Sequence, residues 1–475
     1  MPVDNFHPLY EMHEKRAQRT RDAVEGGDAI KGRGTEYLPD PSGDTSQMPR
    51  VEQQEAQERY RAYKQRALYL GVTGRTHDGM VGAVFRKDPS VDLPAPIEHL
   101  KDDADGNGMG LAQFARGTIS ALLKEGREGI LVDFPEAEDG LIRTQEQGRR
   151  RTREESRSLR PVFRAYSSAN IINWRRKGDQ LALVVLREPY EIGNDEFTHD
   201  WDWQYRVLTL DSDGLYVQRV FRGGSEVASA QPRDSLGRRW RFIPFAFVGA
   251  HNNNEHPDKP LLLDMADVNI AHYRNSADQE EAGFIAGQPM VHIDIGDLDG
   301  EEWDRLNPGG IKVGSRNGIQ TKGGRMEMVQ AEERNILNRL MEQKESQMLS
   351  IGARLIEQGG GNQTAEEVRA KSGTENATLA TVTENANAAI VDCMEWALMF
   401  ADANADVEQI EFELNREFYP EKADPQDVTA RIQELDRGVI ALSDYRAWRR
   451  RNGGIDPNRT DEEIDAEIQA GGALL

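Results

Sequence analysis

Three consecutive glycines, Gly359, Gly360 and Gly361, separate two stretches that otherwise read as long helices. Before them, "AEERNILNRLMEQKESQMLSIGARLIEQ" (331–358) places Leu337, Leu340, Met341, Met348, Ile351 and Leu355 at helical spacing, giving one apolar stripe. After them, Thr364 and Glu367 form a T-x-x-E capping box, which specifies a helix start. Leu379, Val382, Ala386, Ile390, Cys393, Ala397 and Phe400 then line one face of a helix over 365–402. Glycine costs a helix about 1 kcal/mol per position relative to alanine, so three in a row force a break. The spacing therefore predicts two long helices joined by a short, uncharged, flexible link. Gly373 lies inside the second helix and predicts a bend there.

The same alternation of long and small elements continues upstream. "LLLDMADVNIAHYRNSADQEEAGFIAG" (261–287) reads as one long helix closed by Gly287. Residues 288–330 are short, Gly-rich and strand-like. Two long helices thus flank an insertion too small to cover both apolar faces, and packing around a ring of copies would bury them. Further upstream, runs at 129–135, 181–188, 205–210, 215–221 and 241–250 carry β-branched and aromatic residues, with a hairpin turn at Asp213-Gly214. Residues 129–250 are read as a mixed domain with an antiparallel sheet. Helices are expected at 52–70, with Tyr60, Tyr63, Ala67 and Leu70 on one face, and at 111–125, closed by Gly126. Residues 1–51 read as a flexible N-terminal segment, 407–414 as a strand, and 425–475 as short helices. The fold class is α+β.

Composition narrows the function. The 475 residues hold 59 basic and 82 acidic side chains, for a net charge of −23. Phosphate contacts need Lys and Arg, so bulk charge does not make this a nucleic-acid binder. The lone Cys393 excludes an internal disulfide and a Cys-rich zinc site. No apolar signal segment or membrane span is visible, so a soluble intracellular protein is expected. "DADGNGMGLAQF" (103–114) imitates the start of a calcium loop, but Phe114 stands where the bidentate glutamate should be. "RTQEQGRRRTREESRSLR" (143–160) carries seven arginines. It reads as a phosphate strip or, with its three glutamates and no aromatics, as a solvated loop or a face pairing with a neighbour's acidic patches. "YRAWRRRNGG" (445–454) reads as a basic helix end. His272 falls mid-helix as a satisfied or exposed histidine. Walker A and G-x-S-x-G motifs are absent, so neither a P-loop motor nor a nucleophile elbow is encoded. No active site, metal or cofactor is expected.

Several stretches together resemble a portal-like family of tailed bacteriophages. They are "YLGVTGRTHDGMVGAVFRKDP" (69–89), "AYSSANIINWR" (165–175), "IPFAFVGA" (243–250), "DMADVNIAHYRNSAD" (264–278), "GARLIEQ" (352–358) and "TAEEVRAKSGTENATLA" (364–380). The resemblance covers most of 52–470. It implies a wing at 52–260, returning over 365–424 as a long bent helix and a strand. It implies a stem of helices 261–287 and 331–357, a clip at 288–330, a tunnel loop at 358–364 and a short crown at 425–475. The tunnel loop would face the DNA with Gln358, Gly359, Gly360, Gly361, Asn362 and Gln363. Arg334, Arg339, Lys344 and Arg354 would be the channel's basic residues. The resemblance further implies a non-enzymatic ring, typically of twelve copies, at one capsid vertex of the virion, assembled in the host cytoplasm. Double-stranded DNA passes through such a ring. Its partners are the terminase large subunit, head–tail adaptor and tail proteins, and the major capsid and scaffold proteins. The competing readings are another virion structural protein, such as a minor head or adaptor protein, and an enzyme with an unrecognised site.

Overall fold

The computed structural model describes residues 2–134, 160–193, 196–287, 290–294, 296–306, 326–329, 335–356, 365–416, 418, 425–451, 454–455 and 459–471. In chain order the helices are α1 (Pro8–Glu25), α2 (Gly27–Gly32), α3 (Arg50–Arg66), α4 (Val72–Val84), α5 (Leu111–Glu125), α6 (Leu263–Ala286), α7 (Gly300–Leu306), α8 (Ile336–Ile356), α9 (Ala365–Ala401), α10 (Pro425–Asp436), α11 (Leu442–Arg451) and α12 (Asp461–Gly471). The chain forms two compact units. One holds residues 1–10, 78–258 and 355–475; the other holds 11–77 and 259–354.

The first unit is built on strand β2 (Arg127–Asp133), every residue of which is buried. The strand β1 (Ser90–Asp92) precedes it and pairs with β12 (Glu411–Glu413). β2 runs antiparallel between β3 (Val162–Ser167) and β9 (Phe245–Gly249). Its Gly129 is required by packing: a Cβ there would lie 2.2 Å from the Phe245 ring and 2.8 Å from Ile171 Cδ1. α5 buries Leu111, Phe114, Ile119 and Leu122, and ends at the left-handed Gly126, φ 73°. α9 packs against α5, β2 and β9, burying Leu379, Val382, Ala386, Ile390, Cys393, Ala397 and Phe400. These seven are the face its periodicity predicts. The helix is continuous through Gly373.

A second sheet in this unit is a five-stranded antiparallel meander. Its strands are β4 (Ile171–Lys177), β5 (Gln180–Glu191), β6 (Trp201–Leu210), β7 (Tyr216–Arg222) and β8 (Ser225–Ala230). The Asp213-Gly214 turn joins β6 to β7, with Gly214 at φ 72°. A polar network links the two sheets. Glu188 on β5 accepts from Tyr166 of β3 at 2.5 Å, from Arg206 of β6 at 2.6 and 3.2 Å, and from Gln204 at 2.9 Å.

One buried carboxyl makes this unit sensitive to pH. Burial pushes Glu128 on β2 up to about 8, opposed by a hydrogen bond from Thr118 and reinforced by nearby Glu125. The folded chain therefore holds a proton that the unfolded chain releases near its ordinary value of 4.5. A raised folded pKa gives a contribution that is complete below about 4.5 and fades as pH rises to about 8. The slope is at most about 1.4 kcal/mol per pH unit. Glu128→Gln should abolish that decline, so urea melts from about pH 5 to about pH 8 should diverge from wild type most at the alkaline end.

In the second unit, α6 is the centre. Ala266, Ile270, Tyr273 and Ala277 pack with Ala23, Ile30, Tyr37, Leu38, Tyr63 and Ala67. Asn269, fully buried, accepts from Tyr69 Oη and Thr73 Oγ1, both at 2.9 Å, and donates to Leu70 O at 2.8 Å. Tyr63 Oη donates to Asp278 at 2.6 Å, and Arg66 pairs with Glu281. Strands β10 (Met290–Ile293) and β11 (Met326–Val329) pair antiparallel between the two long helices.

Several expectations are corrected. Residues 1–51 contain α1 and α2, and Tyr10, Ala17, Ala23, Ile30, Tyr37 and Leu38 are core residues rather than parts of a flexible segment. The buried positions 10, 13, 17 and 20 do follow helical spacing, but His13, Ala17 and Thr20 carry little hydrophobic signal. Residues 52–77 cluster with the long helices rather than with the sheets, so 52–260 is not one body. In the stretch 88–110, for which the sequence shows no helix or strand period, Leu93, Ile97 and Leu100 are buried. Strands β1, β3, β4 and β8 lie outside the runs read as strands from the sequence.

Candidate functional site

The long helices α6 and α8 meet along an antiparallel seam with heptad spacing. Gly352 faces Met265, where a Cβ would lie 3.3 Å from the Met265 Cε. Seven residues further along each helix, His272 Nε2 donates to Glu345 Oε1 at 3.1 Å. Seven further still, Gln279 pairs with Asn338. Two of the three layers are polar, and each bonds a specific partner, so a slip of one turn breaks both pairs. The seam thus defines one register. His272, read from sequence as satisfied or exposed, is buried and pairs across it. The heptad relation between 265, 272, 279 and 338, 345, 352 is present in the sequence. Two of its three layers are polar, so it forms no apolar stripe.

Away from the seam, α8 keeps apolar residues in solvent. Leu340 is 38% exposed and Leu349 is 66% exposed, and Ile336, one turn before Leu340, is exposed as well. Nine residues separate Leu340 from Leu349, which is about 180° around an α-helix. Met348, fully buried, lies about midway between them. The helix therefore meets α6 along one line and carries exposed leucines on two opposite faces, Leu349 within about 60° of that line and Leu340 at least about 120° from it. Of the stripe expected from sequence, only Met348 is fully buried among the residues whose side chains are described.

The expected channel residues fall unevenly. Gln358, Gly359, Gly360, Gly361, Asn362, Gln363 and Arg334 lie outside the described residues. Arg354 belongs to α8, and its side chain lies outside the description. Arg339 is exposed and Lys344 half-buried. Five residues apart on α8, these two point about 140° from one another and share no face.

Two charged motifs resolve into structural roles. In the calcium-like loop, Asp105 Oδ1 accepts from Asn107 N at 2.8 Å and Met109 N at 3.0 Å, and Asp103 Oδ1 from Gly108 N at 2.8 Å. Its carboxylates serve backbone amides. In the basic end of α11, Arg446 pairs with Asp465 and Arg450 with Asp461, both on α12, while Arg450 Nε donates to Arg459 O at 3.0 Å. Those arginines hold the C-terminal helices together. The segment 143–160 lies outside the described residues, apart from Arg160. Among the described residues, no group of three or more His, Cys, Asp or Glu could hold a metal ion, and no helix is long and apolar enough to cross a membrane.

Residues 260–401 match a family described as a domain of unknown function (DUF4055). That span runs from just before α6 to the last residue of α9. No curated protein matches the chain. Among solved structures, the chain is similar to a chain in the neck of an empty gene transfer agent particle, computed with C6 symmetry. The TM-score is 0.41 at 15% identity, covering 80% of this chain and 89% of that chain. It is similar in the same way to a chain in the virion of a native gene transfer agent particle, with TM-score 0.40, 15% identity, and 79% and 89% coverage. A third likeness is to the neck of the native particle computed with C12 symmetry, at TM-score 0.39 and 15% identity, covering 79% and 89%.

Proposed function

We propose that this chain is a portal subunit, a building block of a ring at one capsid vertex through which double-stranded DNA is packaged and ejected. The observation that carries the reading is α8: registered against α6 along one line, yet with exposed leucines on two faces opposite one another, Leu349 beside that line and Leu340 on the far side. A helix in a closed ring has a neighbour on each side, and head-to-tail contact covers two different flanks of every copy. The order of parts supports the same reading. A long helix, a small β pair, a returning long helix and a third long helix follow one another, with the triple glycine between the last two. In this role α6 and α8 form the stem, and residues 288–330 the clip that docks the terminase large subunit and later the head–tail adaptors. Residues 358–364 form the loop facing DNA. Major capsid and scaffold proteins surround the ring, and it performs no catalysis. The net charge of −23 suits a conduit that must not hold phosphate.

The direct test is negative-stain imaging of assembled particles and of the concentrated chain, with light scattering to give the mass. A ring with a central channel at one vertex is expected. Particles carrying the chain elsewhere, or no ring in either sample, reject the reading.

The loop makes a separate prediction. Replacing Gly359, Gly360 and Gly361 with alanine favours helix by about 1 kcal/mol per position, stiffening the link. Rings should form in normal yield, while packaged DNA per particle should fall severely. Normal packaging by such particles would remove the loop from the DNA path.

A further inference from the structure

The far end of the β5–β6 hairpin carries a surface that the stem does not use. Beyond Glu188 the two strands continue as a ribbon, with Pro189 opposite Trp203, Tyr190 opposite Asp202, and Glu191 opposite Trp201. Trp201 is 61% exposed and Phe197 80% exposed; Ile192 and Trp203 are exposed too. Single exposed apolar residues are ordinary, but four within twelve positions, two of them tryptophans, form a patch. The sequence from 191 to 203 contains Glu191, Asp195, Glu196, Asp200 and Asp202, and no lysine or arginine.

This ribbon already binds guanidinium groups. Arg187 stacks over Trp203 at 4.5 Å and Arg222 over Tyr190 at 4.4 Å. Trp201 has the same chemistry and lies opposite Glu191, whose Oε1 also meets His199 Nδ1 at 2.8 Å. Among the described residues, no cation is recorded over its ring. A guanidinium laid on Trp201 gains cation–π attraction and a carboxylate partner together.

We propose that this hairpin end docks the arginine-rich segment 143–160 of a second copy of the chain. The charges are complementary. The segment has seven arginines against three glutamates, with no lysine and no aromatic residue of its own. Arginine suits a surface of flat rings and carboxylates better than lysine does, through its planar fork and its stacking. Two complementary patches at different places on one chain make a head-to-tail contact, which closes into a ring when the rotation allows. The choice of a second copy, rather than the chain's own segment, rests on the ring reading above.

The test uses the full chain with single added cysteines, Thr198→Cys in one preparation and Arg150→Cys in another. The native Cys393 is buried, and burial pushes its thiol well above the ordinary range, so it stays unreactive while the chain is folded. The two preparations are mixed under ring-forming conditions and treated with a short bismaleimide. A mixed cross-linked dimer is expected. Its yield should drop at least tenfold when Trp201→Ala and Trp203→Ala are added to the first variant, and also at about 1 M salt, where screening shortens to about 3 Å. Circular dichroism of the tryptophan variant confirms that it is folded. A mixed dimer indifferent to the tryptophans overturns the proposal. So does a Thr198→Cys, Arg150→Cys double variant that links only within one chain at high dilution. Rings seen by imaging without mixed cross-links remove this contact and leave the ring standing. The absence of rings and cross-links alike removes both.

Discussion

Glu188→Ala should cost the sheet-bearing unit about 3 kcal/mol or more, the range for removing one partner of a buried ion pair. The side chains of Glu188 and Arg206 are 15% and 16% exposed, so water can relieve little of the loss. The alanine leaves three groups without their acceptor: the Arg206 guanidinium, the Tyr166 hydroxyl and the Gln204 amide. Burial alone would raise the Glu188 pKa, but the Arg206 and Tyr166 bonds outweigh it and hold the carboxylate below its usual range. A depressed folded pKa means that the contribution is complete above the unfolded value and is lost as pH falls through the folded one. The gap between wild type and Glu188→Ala should therefore narrow in acid. Against a typical domain stability of about 5–15 kcal/mol, a loss of this size shifts the denaturant midpoint visibly. Glu188→Met combined with Arg206→Met should lose less than the two single changes added together, because no charge is stranded. Additive losses would show that Glu188 and Arg206 do not couple energetically across β5 and β6.

Legibility in the sequence followed the clarity of each period. The seven-residue face of α9 was readable because Leu379 to Phe400 are apolar at helical spacing and the helix buries that one face. α1 was not readable, because its buried positions include His13 and Thr20, whose burial depends on neighbours remote in sequence. β3 and β4 escaped for a related reason. "VFRAYS" and "IINWRRK" mix arginines into their apolar runs, and pairing with β2 and β5 decides their state. For the candidate site, the sequence held the stripe on α8 but not its fate. Spacing alone does not tell that Met348 is buried while Leu340 and Leu349, on opposite sides, are in water. Nor does it tell that Arg339 and Lys344 diverge, since channel-facing charge is a property of the assembled faces.

Those two leucines give the second large effect. If α8 lies between neighbours, Leu340→Asp damages one flank of each copy and Leu349→Asp the other. Each change removes about 1.5–3 kcal/mol of apolar burial per contact and adds the cost of enclosing a carboxylate. The combined loss should exceed about 3 kcal/mol, more than 100-fold in association. Both positions are exposed in the isolated chain, so its melting curve should hardly change. Either variant alone should fail to form rings. Mixing them is the more discriminating measurement. A Leu340→Asp copy keeps its Leu349 flank, and a Leu349→Asp copy keeps its Leu340 flank, so the two can join through one undamaged contact. The next contact on either side would bring two damaged flanks together, and growth should stop at the mixed dimer. Light scattering should therefore read monomers for each variant and dimers for the mixture. Rings in any of the three samples would show that the flanks of α8 do not build the assembly. Monomers in the mixture would show that the two flanks do not meet each other, because one intact contact of this kind is what a head-to-tail ring repeats.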